Sequence, residues 1–269
     1  MHRPADQHSR MLCAFVVCFT ILLISHRVDA IVMRHDRDEK SFIDLAAKFP
    51  ATVTFHHSAR KHLLRGMGTL VDPRWVLTAG HVANGLAPGD HAELGGASYE
   101  IEAIVQYPDW KGLKRWEDVQ RDIALVRLRT AVAEIAPARL YTGNDEAGMT
   151  VTFVGMGRHG TGLTGPIAGD TRMRAATNRV HKVEGTQLVF RFDAPDDLDV
   201  TPLEGISGDG DSGGPAYIER DGLVYVIGVS SAQDSRPVNK KLGHYGVLEL
   251  YPRVSSFEAW IRTTIRDYR

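Results

Sequence analysis

The stretch YEIEAIVQY, residues 99–107, alternates apolar and polar side chains: Ile101, Ala103, Val105 and Tyr107 fall on one side, Glu100, Glu102 and Gln106 on the other, and only Ile104 breaks the period. Successive side chains of an extended chain point to opposite faces, so this pattern predicts a β-strand with one face in a core and one in water. Runs rich in Val, Ile, Leu, Phe and Tyr at 68–71, 75–78, 123–128, 151–154, 188–192 and 223–229 read the same way. Gly, Pro, Asp and Asn clusters separate them and long helical periods are scarce, which predicts an all-β protein. The runs form two groups. Residues 130–145, with Pro137, Gly143 and Asn144 and no strand period, are expected to connect two β units.

At the carboxyl end the period changes. Phe257, Trp260, Ile261, Thr264 and Ile265 recur at helical spacing, and Ser255 with Glu258 three residues on forms a capping-box signature. A helix over 255–266 is expected to pack on the second unit as a structural clamp.

The chain has 269 residues, 43% hydrophobic and 24% charged, enough for one large core or two smaller ones. A formal net charge of -1 supplies no general basic field, so neither nucleic acid nor an anionic membrane surface is expected as a partner. The first thirty residues differ from the rest: Arg3 and Arg10 precede an apolar run over 11–24, followed by Val28-Asp29-Ala30. This predicts an export signal, residues 1–30, cleaved after Ala30. A membrane anchor is the alternative, but fourteen residues fall short of the roughly 20 that span a bilayer. Cys13 and Cys18 both lie in that segment, so residues 31–269 contain no cysteine and rely on packing alone. Removing three arginines and two aspartates with the signal leaves 29 basic against 31 acidic residues, a formal charge of -2.

Three short segments carry chemistry. GDSGGP, residues 210–215, sets Ser212 in a glycine-rich turn where a carbonyl can approach and backbone N–H groups can converge. A serine hydroxyl needs a base near neutral pH, and His81 fits: it follows the apolar run WVLT, 75–78, through the small pair Ala79-Gly80. Asp122 precedes the apolar run Ile123-Ala124-Leu125-Val126, which would draw its carboxylate inward to orient an imidazole. Seen singly, each has an ordinary reading as a loop serine, a structural histidine or a surface aspartate. His56, His57 and His62 cluster without a matching cysteine or carboxylate pattern and read as strand-edge residues; no metal site is expected.

Together WVLTAGH (75–81), DIALVRL (122–128) and GDSGGP (210–215) resemble the signature segments of the chymotrypsin/trypsin-like serine peptidase family, in that family's order. The separations, 41 residues from His81 to Asp122 and 90 from Asp122 to Ser212, are similar to its layout. The resemblance extends to Gly155-Met156-Gly157, Gly228-Val229-Ser230 and the helix with Trp260. It implies two six-stranded antiparallel β-barrels with a C-terminal α-helix: an N-terminal barrel unit over 31–140 carrying His81 and Asp122, and a C-terminal unit over 141–269 carrying Ser212. It implies a His81, Asp122, Ser212 triad, an oxyanion hole from the N–H groups of Gly210 and Ser212, and Ser230 supporting Asp122 and the substrate backbone. It further implies acyl transfer on protein or peptide substrates by a secreted monomer, extracellular or periplasmic, with no cofactor and no membrane insertion after signal cleavage. In this family a freed Ile-Val terminus pairs with the aspartate before the nucleophile, here Ile31 with Asp211.

The sequence also departs from the family. Val82 and Gly208 stand where animal members usually have cysteine, and Met33-Arg34 where Gly-Gly usually follows the Ile-Val terminus. Ile206 occupies the position of the pocket-base aspartate of enzymes that cut after Lys or Arg. Glu249 would restore an acidic base if its strand reaches the same pocket, a solvated strand glutamate being the alternative. Ala232 stands near a pocket-wall glycine. Two functions remain open: an active endopeptidase, and a catalytically silent relative that uses the same surface for binding.

Overall fold

The computed structural model describes residues 31–57 and 60–268. The expected export signal, with Cys13 and Cys18, lies outside the described residues, as do the side chains of His57 and His62. Among the described residues no helix is long and apolar enough to cross a membrane.

A two-residue strand β1 (Val32–Met33) and a helix α1 (Glu39–Ala46) lead into β2 (Thr52–His57), β3 (Arg60–Asp72), β4 (Trp75–Thr78), β5 (His91–Leu94), β6 (Ala97–Gln106) and β7 (Ala124–Leu128). These six strands close into a barrel in the order β2-β3-β4-β7-β6-β5. A four-residue helix, α2 (Gly80–Ala83), follows β4 directly. Phe55, Leu70, Val76 and Val126, none measurably exposed, fill the interior.

The alternating stretch is β6, but its period slips. Ile101 pairs with Leu128 and Ile104 with Val126, with a bulge between Ile101 and Ala103. One extra residue reverses the parity of the strand, so Ile104 joins Ile101 on the core side while Ala103 and Val105 turn to the other face. The apparent defect at Ile104 is the bulge seen in sequence.

The second unit comprises β8 (Arg139–Leu140), β9 (Thr150–Gly155), β10 (Arg158–Thr161), β11 (Gly165–Gly169), β12 (Arg174–Glu184), β13 (Gln187–Arg191), β14 (Gly205–Ile206), β15 (Pro215–Arg220), β16 (Leu223–Val229), β17 (Ala232–Asp234) and β18 (Leu248–Pro252). Eight of these pair in the order β17-β18-β13-β12-β9-β15-β16-β8. A bridge from Gly228 to Arg253 brings β16 back to the end of β18, wrapping six strands around Phe153, Phe190 and Tyr251. Those rings meet at centroid distances of 4.9 to 5.1 Å. The architecture is that of a chymotrypsin-like double barrel with a terminal helix, α3 (Val254–Asp267).

Both ends of the described chain reach across to the other unit. β1 pairs with β10 and β14 of the second unit, α1 places Phe42 in its core, and the buried Arg174 binds Glu39 of α1 together with Asp170. At the other end α3 does not simply cap the second unit: Phe257 and Trp260 set their rings edge-on to Tyr107 of the first, at 5.0 and 5.3 Å. The predicted capping box is also replaced. Ser255 Oγ donates to the buried Glu146, which accepts two further bonds from Arg253, at 2.7 Å each, so the serine is committed to an ion-pair network instead of to the helix end.

Candidate active site

His81 sits in α2, the turn reached directly from β4, and Asp122 leaves a 3-10 turn, Trp116–Arg121, to enter β7. Since β4 and β7 are hydrogen-bonded neighbours, their ends meet. Asp122 is completely buried and holds the histidine at two points: Oδ1 accepts from the His81 backbone N–H at 2.8 Å, and Oδ2 lies 2.6 Å from His81 Nδ1. A carboxylate there requires the proton on Nδ1 and leaves Nε2 with a free lone pair, the form a general base needs. Ser231 Oγ donates to the same Oδ2 at 2.5 Å.

Ser212 occupies a turn pinned on all sides. Its carbonyl accepts from Met67 N–H at 2.8 Å, and Gly213 N–H donates to Ser230 O, also at 2.8 Å. Gly213 has φ +80°, and a side chain there would overlap Thr78 Oγ1 and Met67 O. Gly66 brings the two halves of the site together: a Cβ on it would stand 2.7 Å from the Val82 side chain of α2 and 3.0 Å from Ser212 O. Ser212 thus lies against the turn that carries His81.

Asp211 is buried beneath this turn and accepts backbone N–H bonds from Gly208 at 2.9 Å, Met156 at 3.0 Å and Gly157 at 3.1 Å. Burial pushes its carboxyl well above the usual range; the three amides work against that shift, and the Glu249 carboxylate adds to it. Ile31 is buried with Phe42 and Phe153, and β1 runs beside Gly205 and Ile206, the segment that leads into the Ser212 turn.

A cleft of about 220 Å³ opens beside Ser212, walled by Ser207, Gly208, Ser230, Ser231, Ala232 and Gln233 among others. Ser230 and Ala232 both line this cleft, and Asp122 is held by Ser231, not by Ser230. Ser230 uses its N–H and C=O on Gly214 and Gly213 and sets its hydroxyl 3.2 Å from Ser207 Oγ. Neighbouring residues of an extended segment face opposite ways, so the next serine reaches the aspartate. Ile206 does not line the cleft; its side chain is enclosed with Val32, Phe192 and Val247. Glu249 is only 1% exposed and accepts from Ser207 N–H at 3.1 Å, from Ser207 Oγ, and from Gln233 Nε2 at 3.2 Å. Burial raises its carboxyl to about 7. Ser231 and Gln233 were not singled out in the sequence; the two-residue period of the strand after Val229 is the signal that would have found them.

His56 packs its Nε2 3.0 Å from Thr54 Oγ1 and 3.5 Å from Glu93. Among the described residues one histidine–carboxylate group has the spacing of metal ligands, Glu39, His159 and Asp170, and Arg174 already pairs with both carboxylates.

A family model described as Trypsin matches residues 45–261. The chain is 29% identical over 221 residues to Serine protease SP24D of Anopheles gambiae, covering 77% of this chain and 76% of that protein. It is 27% identical over 235 residues to Complement C1s subcomponent of Rattus norvegicus and 29% over 236 residues to that of Bos taurus, covering 76% and 75% of this chain. It spans 32% of the length of each of those two.

Proposed function

The chain belongs to the trypsin family of serine proteases, and from that premise we propose that it is a secreted serine endopeptidase acting through His81, Asp122 and Ser212. The observation that carries this reading is the double grip of the buried Asp122 on His81, through the backbone N–H and Nδ1. Ser212 Oγ attacks a peptide carbonyl carbon while His81 Nε2 takes its proton, and Asp122 stabilises the imidazolium. The N–H groups of Gly210 and Ser212 receive the oxyanion. His81 then protonates the departing amine; water, deprotonated by the same nitrogen, attacks the acyl carbon, the bond to Ser212 Oγ breaks, and His81 returns the proton to that oxygen.

Export would remove residues 1–30 and leave a cysteine-free chain beginning at Ile31. Its new ammonium would pair with Asp211, a buried carboxylate for which a cation offsets desolvation. The side chains around the cleft act on the substrate residue whose carbonyl is attacked, with Ser230 and Ala232 on its wall and Glu249 buried behind it.

A serine-directed phosphonate tests the reading. Protein beginning at Ile31 is expected to gain one adduct, on Ser212, and to lose its peptidase activity in step. Absence of the adduct in folded protein would mean a silent relative that binds without cutting.

A further inference from the structure

An amide lines the cleft beside Ser212, and a buried acid is hydrogen-bonded behind it. Gln233 and Glu249 are direct cross-strand partners in the antiparallel pair β17 and β18, so their side chains emerge on one face. Gln233 Nε2 donates to Ser207 O at 2.6 Å and to Glu249 Oε1 at 3.2 Å, while its Oε1 accepts from Gly243 N–H at 3.1 Å. Ser207 supplies two more bonds to Glu249. The amide is saturated by its neighbours and the carboxyl is bonded by Ser207, Gln233 and Tyr251. Ser207 and Gln233 reach the cleft surface; Glu249, at 1% exposure, does not.

We propose that Gln233 is the specificity-determining residue of this site, closing the pocket over Glu249 so that the enzyme cuts after small uncharged residues and not after Lys or Arg. The inference rests on the serine-endopeptidase reading. A lysine or arginine side chain entering the cleft would have to shed its water and find a carboxylate, yet it would meet a neutral amide whose two N–H bonds are already made to Ser207 and Glu249. A large aromatic ring would have to displace the same amide and leave Ser207 O and Gly243 N–H without their partner. An alanine or serine side chain needs neither. Substituting Gln233 with glycine removes the plug and one donor from Glu249, and leaves an open pocket with an acid at its base.

The test uses one peptide scaffold varied to Ala, Val, Phe, Lys or Arg at the residue whose carbonyl is attacked. The kcat/KM values are compared for the wild type, Gln233→Gly and Gln233→Gly/Glu249→Gln, each in protein beginning at Ile31. The wild type is expected to favour Ala over Lys by about 100-fold or more, the single variant to raise the Lys-to-Ala ratio by about 100-fold, and the double variant to reverse that gain. Gln233→Ala serves if the glycine variant fails to fold. Fluorescence of 4-aminobenzamidine, an aromatic amidine, gives a readout independent of turnover in a Ser212→Ala background: saturable binding is expected only when Gln233 is replaced and Glu249 retained. Wild-type preference for Lys, Arg or Phe, or an unchanged ratio in both Gln233 variants, overturns the proposal. Absence of phosphonate labelling with the amidine pattern as expected rejects the endopeptidase reading and leaves the plug standing.

Discussion

Ser212 shows how little side-chain chemistry a turn of this kind contributes to stability: its position is fixed by backbone bonds from Met67, Gly213 and Gly214 and by the buried Asp211 beneath it. Ser212→Ala should therefore lower kcat/KM by at least about 10⁴-fold while moving the thermal midpoint by less than about 2 °C, measured by peptide hydrolysis and calorimetry. Ser231 is a positioning residue. Ser231→Ala removes a donor from a fully buried carboxylate, so kcat should fall about tenfold with KM little changed, and Ser231→Thr, which keeps the hydroxyl, should recover most of it. Burial holds the carboxyls of Glu204 and Glu249 near 7, above the 4.5 of an exposed glutamate. The folded protein then keeps protons that the unfolded chain has released, so their contribution to stability is whole below about pH 4.5 and is lost as pH rises through about 7. The urea midpoint should drop between pH 5 and pH 8, and Glu249→Gln should flatten that drop; an equal drop in the variant would reject the assignment. His81, Asp122 and Ser212 could be singled out because each sits in a motif that fixes its backbone, whereas Ser231 and Gln233 depend on which face of a strand a given residue takes, and an error of one position exchanges the two faces.

β6 and α3 illustrate what an element's own sequence can and cannot say. Alternation in β6 was visible, but the bulge between Ile101 and Ala103 could only be read as an irregularity at Ile104, because it arises from register against β7. The helical period of α3 was equally visible. Its beginning was not, since Ser255 and Arg253 are occupied by Glu146, more than a hundred residues earlier in the chain. Glu146 is fully buried and accepts three bonds, two of them from a guanidinium. Glu146→Ala would leave Arg253 and Ser255 without their acceptor at the start of the helix, and about 3 to 5 kcal/mol of stability should be lost in equilibrium unfolding. A loss below about 1 kcal/mol would show that water replaces the carboxylate there.

The all-β character was legible in the sequence; the packing of the end segments across the two units was not, because it depends on contacts among residues far apart in the chain. α1 packs on the second unit, and α3 lies against β16 and β8 of the second while setting Phe257 and Trp260 on Tyr107 of the first, so segments outside the strands tie the two barrels together. The two should therefore melt as one. Phe257→Ala, which removes a ring that is 4% exposed and set against Tyr107, should cost about 3 to 5 kcal/mol and shift a single transition seen alike by tryptophan fluorescence and far-ultraviolet dichroism. Separation of the two signals in the variant would mean that the barrels unfold independently.

β1 is only two residues long, yet it is held between β10 and β14, pairing Val32 with Gly160 on one side and Ile206 on the other. On a ribosome those partners, Gly160 and Ile206, are made 128 and 174 residues after Val32. The opening piece of the folded body is thus among the first synthesised and among the last that can be seated, and until β14 has emerged Ile31 and Val32 have nowhere apolar to go. During that interval Ile31, Val32 and Met33 stay without the apolar partners that bury them in the finished fold, so the start of the folded body is seated late although it is made early.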